Sequence, residues 1–274
     1  MKDQFVIAHL TDLDDIETVY SHARRMADML QKSIILLYIT DERYNCLSTE
    51  EATEKLKAIT ADHSDTTYCA IKGKTKEIVA SLPTMLNGVV AIVQVDKNAS
   101  KRTPTHKKEV LHNYADCKIS YLTVQQPTAT DCSWDHVAMT MDYHRESKEK
   151  LIWTSYFARF NHSQIHILSQ YYKDEGLRDM WRNNMLYLKK FFEKLSLPYQ
   201  QSELQGQSTY PDIDALQYAQ QQHIGLIIAT TTPTRQVDFI EWFTGTQEQR
   251  TIINDQRIPI LYINPRDDMY VLCD

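Results

Sequence analysis

Glycine is scarce in this chain. There are six in 274 residues, Gly73, Gly88, Gly176, Gly206, Gly225 and Gly245, and the closest pair is 15 positions apart. A Gly-x-Gly-x-x-Gly turn or a complete Walker A loop needs two glycines within a few residues, because the backbone must approach phosphate closely. Both motifs are therefore excluded. Gly73-Lys74-Thr75 imitates the end of a Walker A, but the position where the first glycine should stand is Tyr68, inside a strand-like run.

Other absences narrow the class further. The five cysteines (Cys46, Cys69, Cys117, Cys132, Cys273) are far apart, with no Cys-x-x-Cys, which fits reduced thiols in a cytoplasmic protein. Spanning a bilayer takes about 20 apolar residues. The longest candidates, Ile34–Ile39 and Ile224–Ala229, are only strand-sized, so no membrane association is expected. The N-terminus, with Lys2, a short apolar run and then Asp12, Asp14 and Asp15, does not read as a signal peptide. Positive charge is not in excess. Lys+Arg and Asp+Glu number 16 and 17 up to residue 130 and 14 and 19 beyond it, for a net charge of −6. Such a chain gains little from counterion release, so no nucleic-acid partner is expected. The ten histidines show no zinc spacing. No Gly-x-Ser-x-Gly elbow or other catalytic constellation is present, and the protein reads as no enzyme.

What is present is alternation. Strand-like runs at Gln4–Leu10, Ser33–Ile39, Thr67–Ile71, Gly88–Val95 and Ile119–Val124 enclose helical spacings at Asp14–Gln31, Thr49–Asp62, Lys74–Leu86 and Thr105–Ala115. Gln125–Asp135 is polar, contains Pro127 and reads as a linker. The pattern then recurs. Strands fall at Val137–Met141, Gln164–Ser169, Tyr199–Leu204, Gly225–Ala229 and Pro259–Ile263. Helices fall at Glu146–His162, Asp174–Leu195 and Ile213–Gln222 and within Gly245–Gln256. Strands alternating with helices predict an α/β fold with a parallel sheet covered on both faces. Landmarks match between the halves. Asp12 pairs with Asp142, Ile34 with Ile165, Gly73 with Gly206, Gly88 with Gly225 and Tyr121 with Tyr262, at offsets that grow from 130 to 141. A duplication with small insertions produces that steady drift. Two domains are expected, 1–126 and 134–274.

A five-stranded unit of this order, with Asp closing the first strand, resembles the universal stress protein family. Ile71-Lys72-Gly73 before a helix with Glu77-Ile78 is similar to that family's strand–glycine–helix junction. Gly245-Thr246, a helix and then Ile258-Pro259-Ile260-Leu261 resemble its closing segment. The resemblance covers nearly the whole chain, as a tandem two-domain member. It implies two doubly wound, Rossmann-like sheets of order 3-2-1-4-5, each with a crevice between strands 1 and 4. Ligands of open α/β sheets bind at that reversal of strand order on general grounds as well.

ATP-binding relatives carry a Gly-x2-Gly-x9-Gly-Ser/Thr loop after strand 4. Here the second copy reads Ala229-Thr230-Thr231-Thr232-Pro233-Thr234-Arg235 and keeps only Gly245-Thr246. The first copy, Val95 to Arg102, has no glycine. The resemblance makes Asp12, Asp142, Thr230, Thr231, Gly245 and Thr246 the candidate nucleotide-crevice residues. Plainer readings stand beside each. The two aspartates could be helix caps or strand-end turns, Thr246 an ordinary cap, and the threonine run a polar loop. Lys97, Lys101, Arg102, His106, Lys107 and Lys108 could hold an anion through side chains, or simply be solvated. Phe239, Ile240, Trp242 and Phe243 could fill the vacated crevice or pack locally.

The closing strands Ile119–Val124 and Pro259–Ile263 are expected at sheet edges, and open edges attract partners. The resemblance implies that such strands pair across a two-fold axis. Self-association is therefore expected, as an intramolecular pseudo-dimer or a homodimer, with the tail Met269–Leu272 a further contact. The expected function is a non-catalytic, stress-response regulatory or binding protein with a degenerate ATP motif and no cofactor, acting through protein partners or another small ligand. The alternatives are an ATP-binding member with slow ATPase activity in the second domain, and a structural scaffold without ligand.

Overall fold

The computed structural model describes residues 3–44, 46–61, 63, 65–115, 117–126, 133–204, 211–232 and 246–265. Gly206, Gly245, Pro233, the ring cluster Phe239–Phe243, most of the linker and the tail Met269–Leu272 lie outside the described residues. The chain divides into two compact units, Met1–Thr128 and Ala129–Asp274.

In the first unit the elements run β1 (Phe5–Leu10), α1 (Glu17–Leu30), β2 (Ser33–Thr40), α2 (Thr49–Thr60), β3 (Thr66–Lys72), α3 (Thr75–Met85), β4 (Gly88–Gln94), α4 (Lys107–Tyr114) and β5 (Ser120–Val124). All pairings are parallel, in the order β3-β2-β1-β4-β5. The central strands are buried on both faces, as continuous apolar runs require. Val6, Ile7, Ala8, Leu36, Leu37, Val90, Ala91 and Ile92 have no solvent exposure. α1 lays Val19, Ala23, Met26 and Ala27 against this sheet, a 3.6-residue stripe. α2 opens with a reciprocal capping box between Ser48 and Glu51, an arrangement whose cap is worth about 1 kcal/mol.

The second unit runs β6 (His136–Thr140), α5 (Lys150–Phe160), β7 (Gln164–Ser169), α6 (Glu175–Leu195), β8 (Gln200–Glu203), α7 (Pro211–Gln221), β9 (Leu226–Thr230), α8 (Gln247–Thr251) and β10 (Ile260–Ile263). Its parallel order is β8-β7-β6-β9-β10. This is again 3-2-1-4-5 when its strands are counted from β6. The first two strands of each unit share one register: Phe5 lies opposite Ser33, and His136 opposite Gln164, a step of 28 residues in both.

Most boundaries differ from the sequence expectation by a residue or two, but two helices differ more. The helix expected from Asp14 begins at Glu17, because the Asp14 amide donates to Asp12 Oδ1 (2.9 Å) and closes a turn first. The helix expected over Glu146–His162 opens as a 3-10 turn, Arg145–Glu149, before α5. The Asn184 amide donates to the carbonyls of Asp142 and His144 (2.9 and 2.8 Å), which holds that entry away from α-helical geometry.

The glycine shortage leaves its mark on the backbone. Gln31, Asn87, His162, Ser196, His223 and Arg257 all adopt left-handed φ of 50–56°, a region that Gly fills without steric cost. Gly73 (φ 155°) and Gly225 are used where nothing else fits. A Cβ on Gly225 would lie 1.6 Å from the Ser133 carbonyl oxygen, and the Gly225 amide donates to the His136 carbonyl at 2.9 Å.

Candidate functional site

In the first unit, a crevice of about 530 Å³ opens at the carboxyl ends of β1, β2 and β4, where strand order reverses. Its walls come from His9 and the β1–α1 turn, from Tyr38 and the segment after β2, and from Gln94, Asp96 and Thr103–Thr105 after β4. Asp12 lies in that wall. It is not a helix cap, since Ile16 holds the N-cap position of α1 without a side-chain bond. It is a strand-end turn instead.

The crevice is acidic. Among the described residues Asp12, Asp14 and Asp96 line it against a single lysine, Lys55, which is bonded to Asp14 at 2.6 Å. Asp96 Oδ1 accepts the Asn98 amide (2.8 Å), which turns the chain sharply after β4. The basic cluster Lys97, Lys101, Arg102, His106, Lys107 and Lys108 lies outside the lining. His106 caps α4, its Nδ1 accepting from the Lys108 amide at 3.3 Å. Side-chain capture of an anion here therefore has no geometric support.

His9 is 4 % exposed at the base of this wall. Its Nδ1 pairs with the Tyr114 hydroxyl at 2.9 Å. Burial lowers its pKa to about 4, so the ring is neutral near pH 7. Behind the crevice Asp41 ties β2 to α3. Its carboxylate accepts from the Thr75 amide (2.7 Å), the Thr75 hydroxyl (2.9 Å) and the Arg43 guanidinium (2.8 Å). Burial alone would raise its pKa, but these hydrogen bonds outweigh it and hold the group well below the carboxylate range.

The second unit treats the same location differently. Thr140 ends β6 at the register position that His9 has in β1: each lies opposite a leucine, Leu168 and Leu37. The Thr140 hydroxyl is fully buried. It accepts from Lys150 Nζ at 3.1 Å and donates to Asp212 Oδ1 at 2.6 Å. Lys150 is 1 % exposed and Asp212 5 %. Burial raises the Asp212 pKa, and Lys150 and Thr140 pull it back only in part. Asp142 is also buried. Its Oδ1 accepts the His144 amide at 2.8 Å, a turn like that of Asp12.

The threonines of the candidate loop face inward. The Thr231 hydroxyl donates to Asn264 Oδ1 (2.7 Å) and that of Thr232 to Glu248 Oε2 (3.2 Å). Among the described residues the Thr230 hydroxyl has no hydrogen-bond partner. Thr246 holds the N-cap position of α8 without a capping bond. Glu248 is 8 % exposed and its pKa is raised by burial. Asp212 and Glu248 thus put buried carboxyls on Thr140 and Thr232, with Lys150 on the Thr140 hydroxyl. That is an unfavourable setting for a triphosphate.

Sequence reasoning missed His9, Asp41, Lys150 and Asp212. A signal existed for Lys150: it shares a helical face with Thr154 and Phe157, both buried, and 131 positions earlier α1 has Val19. A charge on an apolar stripe needs a buried partner. Nothing local marked Asp212 as that partner, since it lies 72 residues from Thr140.

Each unit is a doubly wound parallel sheet of five strands, and the comparisons with solved structures agree. The chain is similar to a universal stress protein from Archaeoglobus fulgidus DSM 4304 (TM-score 0.66, 11% identity, 96% of this chain and 97% of that one). It is similar as well to a protein of Pseudomonas aeruginosa UCBPP-PA14 provisionally assigned as a universal stress protein (TM-score 0.65, 13% identity, 98% and 95%). The cytoplasmic domain of a prokaryotic cation chloride cotransporter also matches (TM-score 0.56, 9% identity, 96% and 95%). No family model and no curated protein matches the chain. The fold is therefore that of the universal stress proteins, shared with a transporter's cytoplasmic domain. Among the described residues no helix is long and apolar enough to cross a membrane, and no three His, Cys, Asp or Glu gather as metal ligands would.

Proposed function

We propose that this protein is a tandem, non-catalytic regulatory or binding protein of the universal stress type, cytoplasmic, with no tight hold on ATP. The observation that carries this reading is the contrast between its two switch points. The first is an open, acidic crevice of about 530 Å³ with no glycine in the segment after β4. The second ties its polar groups to one another through Lys150, Thr140 and Asp212. The first unit is then where a small ligand enters, and the second is a structural partner. Signalling would follow through other proteins or through self-association at the closing strands.

A second reading has one observation in its favour. The unpartnered Thr230 hydroxyl sits at the end of β9, where a nucleotide phosphate would need a donor. On that reading the second unit binds ATP through Asp142, Thr230, Thr231, Gly245 and Thr246 and hydrolyses it slowly. The test is to denature the purified protein, assay released adenine nucleotide, and titrate ATP with magnesium. The first reading expects no released nucleotide and no binding below the millimolar range. Micromolar binding abolished by Asp142→Ala would replace it with the second.

A further inference from the structure

We infer that the crevice of the first unit selects a small organic cation, a primary amine carried on a flat or aromatic body, and turns away phosphorylated ligands. This rests on the reading of that crevice as the ligand site. Three features argue for it together. The volume of about 530 Å³ suits a compact organic molecule and not a bare ion. The charge is one-sided: among the described residues Asp12, Asp14 and Asp96 face the space, and the one lysine there, Lys55, is already held by Asp14. Asp12 and Asp96 each spend one carboxylate oxygen on a turn amide, and Asp12 shares Lys55 with Asp14 through space, so three carboxylates face one lysine among the described residues of the lining. An ammonium group would offset that excess.

The third feature is His9. It lines the crevice while 4 % exposed, its Nδ1 is taken by Tyr114, and among the described residues its Nε2 has no hydrogen bond. A neutral, desolvated ring nitrogen fixes the orientation of a polar ligand without adding charge. Leu10, Leu13, Tyr38 and Leu47 offer apolar and aromatic wall to the body of the ligand. The amino ends of α1 and α4 contribute fractional positive charge nearby. Glu17 in the first turn of α1 and Glu109 in that of α4 oppose it.

The experiment uses the full chain and matched fragments, in which one phenethyl scaffold ends in an amine, an alcohol or a carboxylate. Calorimetry reads affinity. Protection of Cys46, a half-buried thiol in the crevice wall, against alkylation reads location. The amine is expected to bind about tenfold or more tighter than the alcohol, with the carboxylate weakest. Asp12→Asn with Asp96→Asn keeps both turn acceptors and should remove that advantage while leaving the alcohol unchanged. Amine binding that survives the double substitution, or a carboxylate that binds as well as the amine, overturns the inference. If alcohol and carboxylate protect Cys46 as well as the amine does, selectivity falls and the crevice remains the ligand site. If none of the three protects Cys46, the site falls with it.

Discussion

Replacing Lys150 by methionine tests the buried network of the second unit directly. Methionine keeps most of the volume and removes the charge, which strands Asp212 behind Thr140. Two opposite charges bridged by one hydroxyl attract by roughly 3 kcal/mol at an effective dielectric constant of about 20. Breaking a buried pair typically costs about 3–5 kcal/mol. Asp212 has an escape, which is to bind a proton. From an unfolded pKa of about 3.9 that uptake costs about 4 kcal/mol at pH 7 and only about 1.5 kcal/mol at pH 5. The expected destabilisation is therefore about 3–4 kcal/mol at pH 7, shrinking to about 1.5 kcal/mol at pH 5. Adding Asp212→Asn should restore most of the loss at pH 7, because the amide oxygen still accepts from Thr140. All four tryptophans (Trp134, Trp153, Trp181, Trp242) lie in the second unit, so tryptophan fluorescence during urea unfolding reports that unit alone. A Lys150→Met loss that is the same at both pH values, or that Asp212→Asn deepens, would refute the reasoning.

Other outcomes follow from the same kind of argument. His9 has a folded pKa of about 4, below the unfolded value. Its contribution is thus complete above about pH 6.5 and is lost as pH falls through 4, about 3 kcal/mol in all. His9→Gln should flatten that part of the first unit's acid sensitivity, read between pH 7.5 and 4.5 as the urea transition in far-ultraviolet circular dichroism that the tryptophan signal of the second unit does not share. His162 follows α5 at φ 56°, so His162→Gly should raise the midpoint of the tryptophan-monitored transition by relieving about 0.5–1 kcal/mol of backbone strain. A fall in stability would show that the His162 side chain contributes more than its backbone costs.

Much of the architecture is legible without coordinates. Continuous apolar runs such as Ser33–Ile39, and the helical stripe through Val19, Ala23 and Met26, reflect burial that is set locally by chain periodicity. The site is less legible. Asp12 and Asp142 were located but their role was not, since a strand-end turn and a helix cap use the same residue type. The basic run from Lys97 to Lys108 suggested an anion site, but none of its basic residues lines the crevice, which is acidic.

Sequence by itself determined the alternation of strands and helices, the recurrence of the pattern in the second half, and the absence of a Gly-x-Gly-x-x-Gly turn or a Walker A loop. Each depends on neighbours along the chain or on a residue type that is simply missing. Tertiary structure decided which polar groups share a space. His9 meets Tyr114 across 105 residues, and Asp212 meets Thr140 across 72. Only a folded sheet brings such groups together, and their burial then sets their charge.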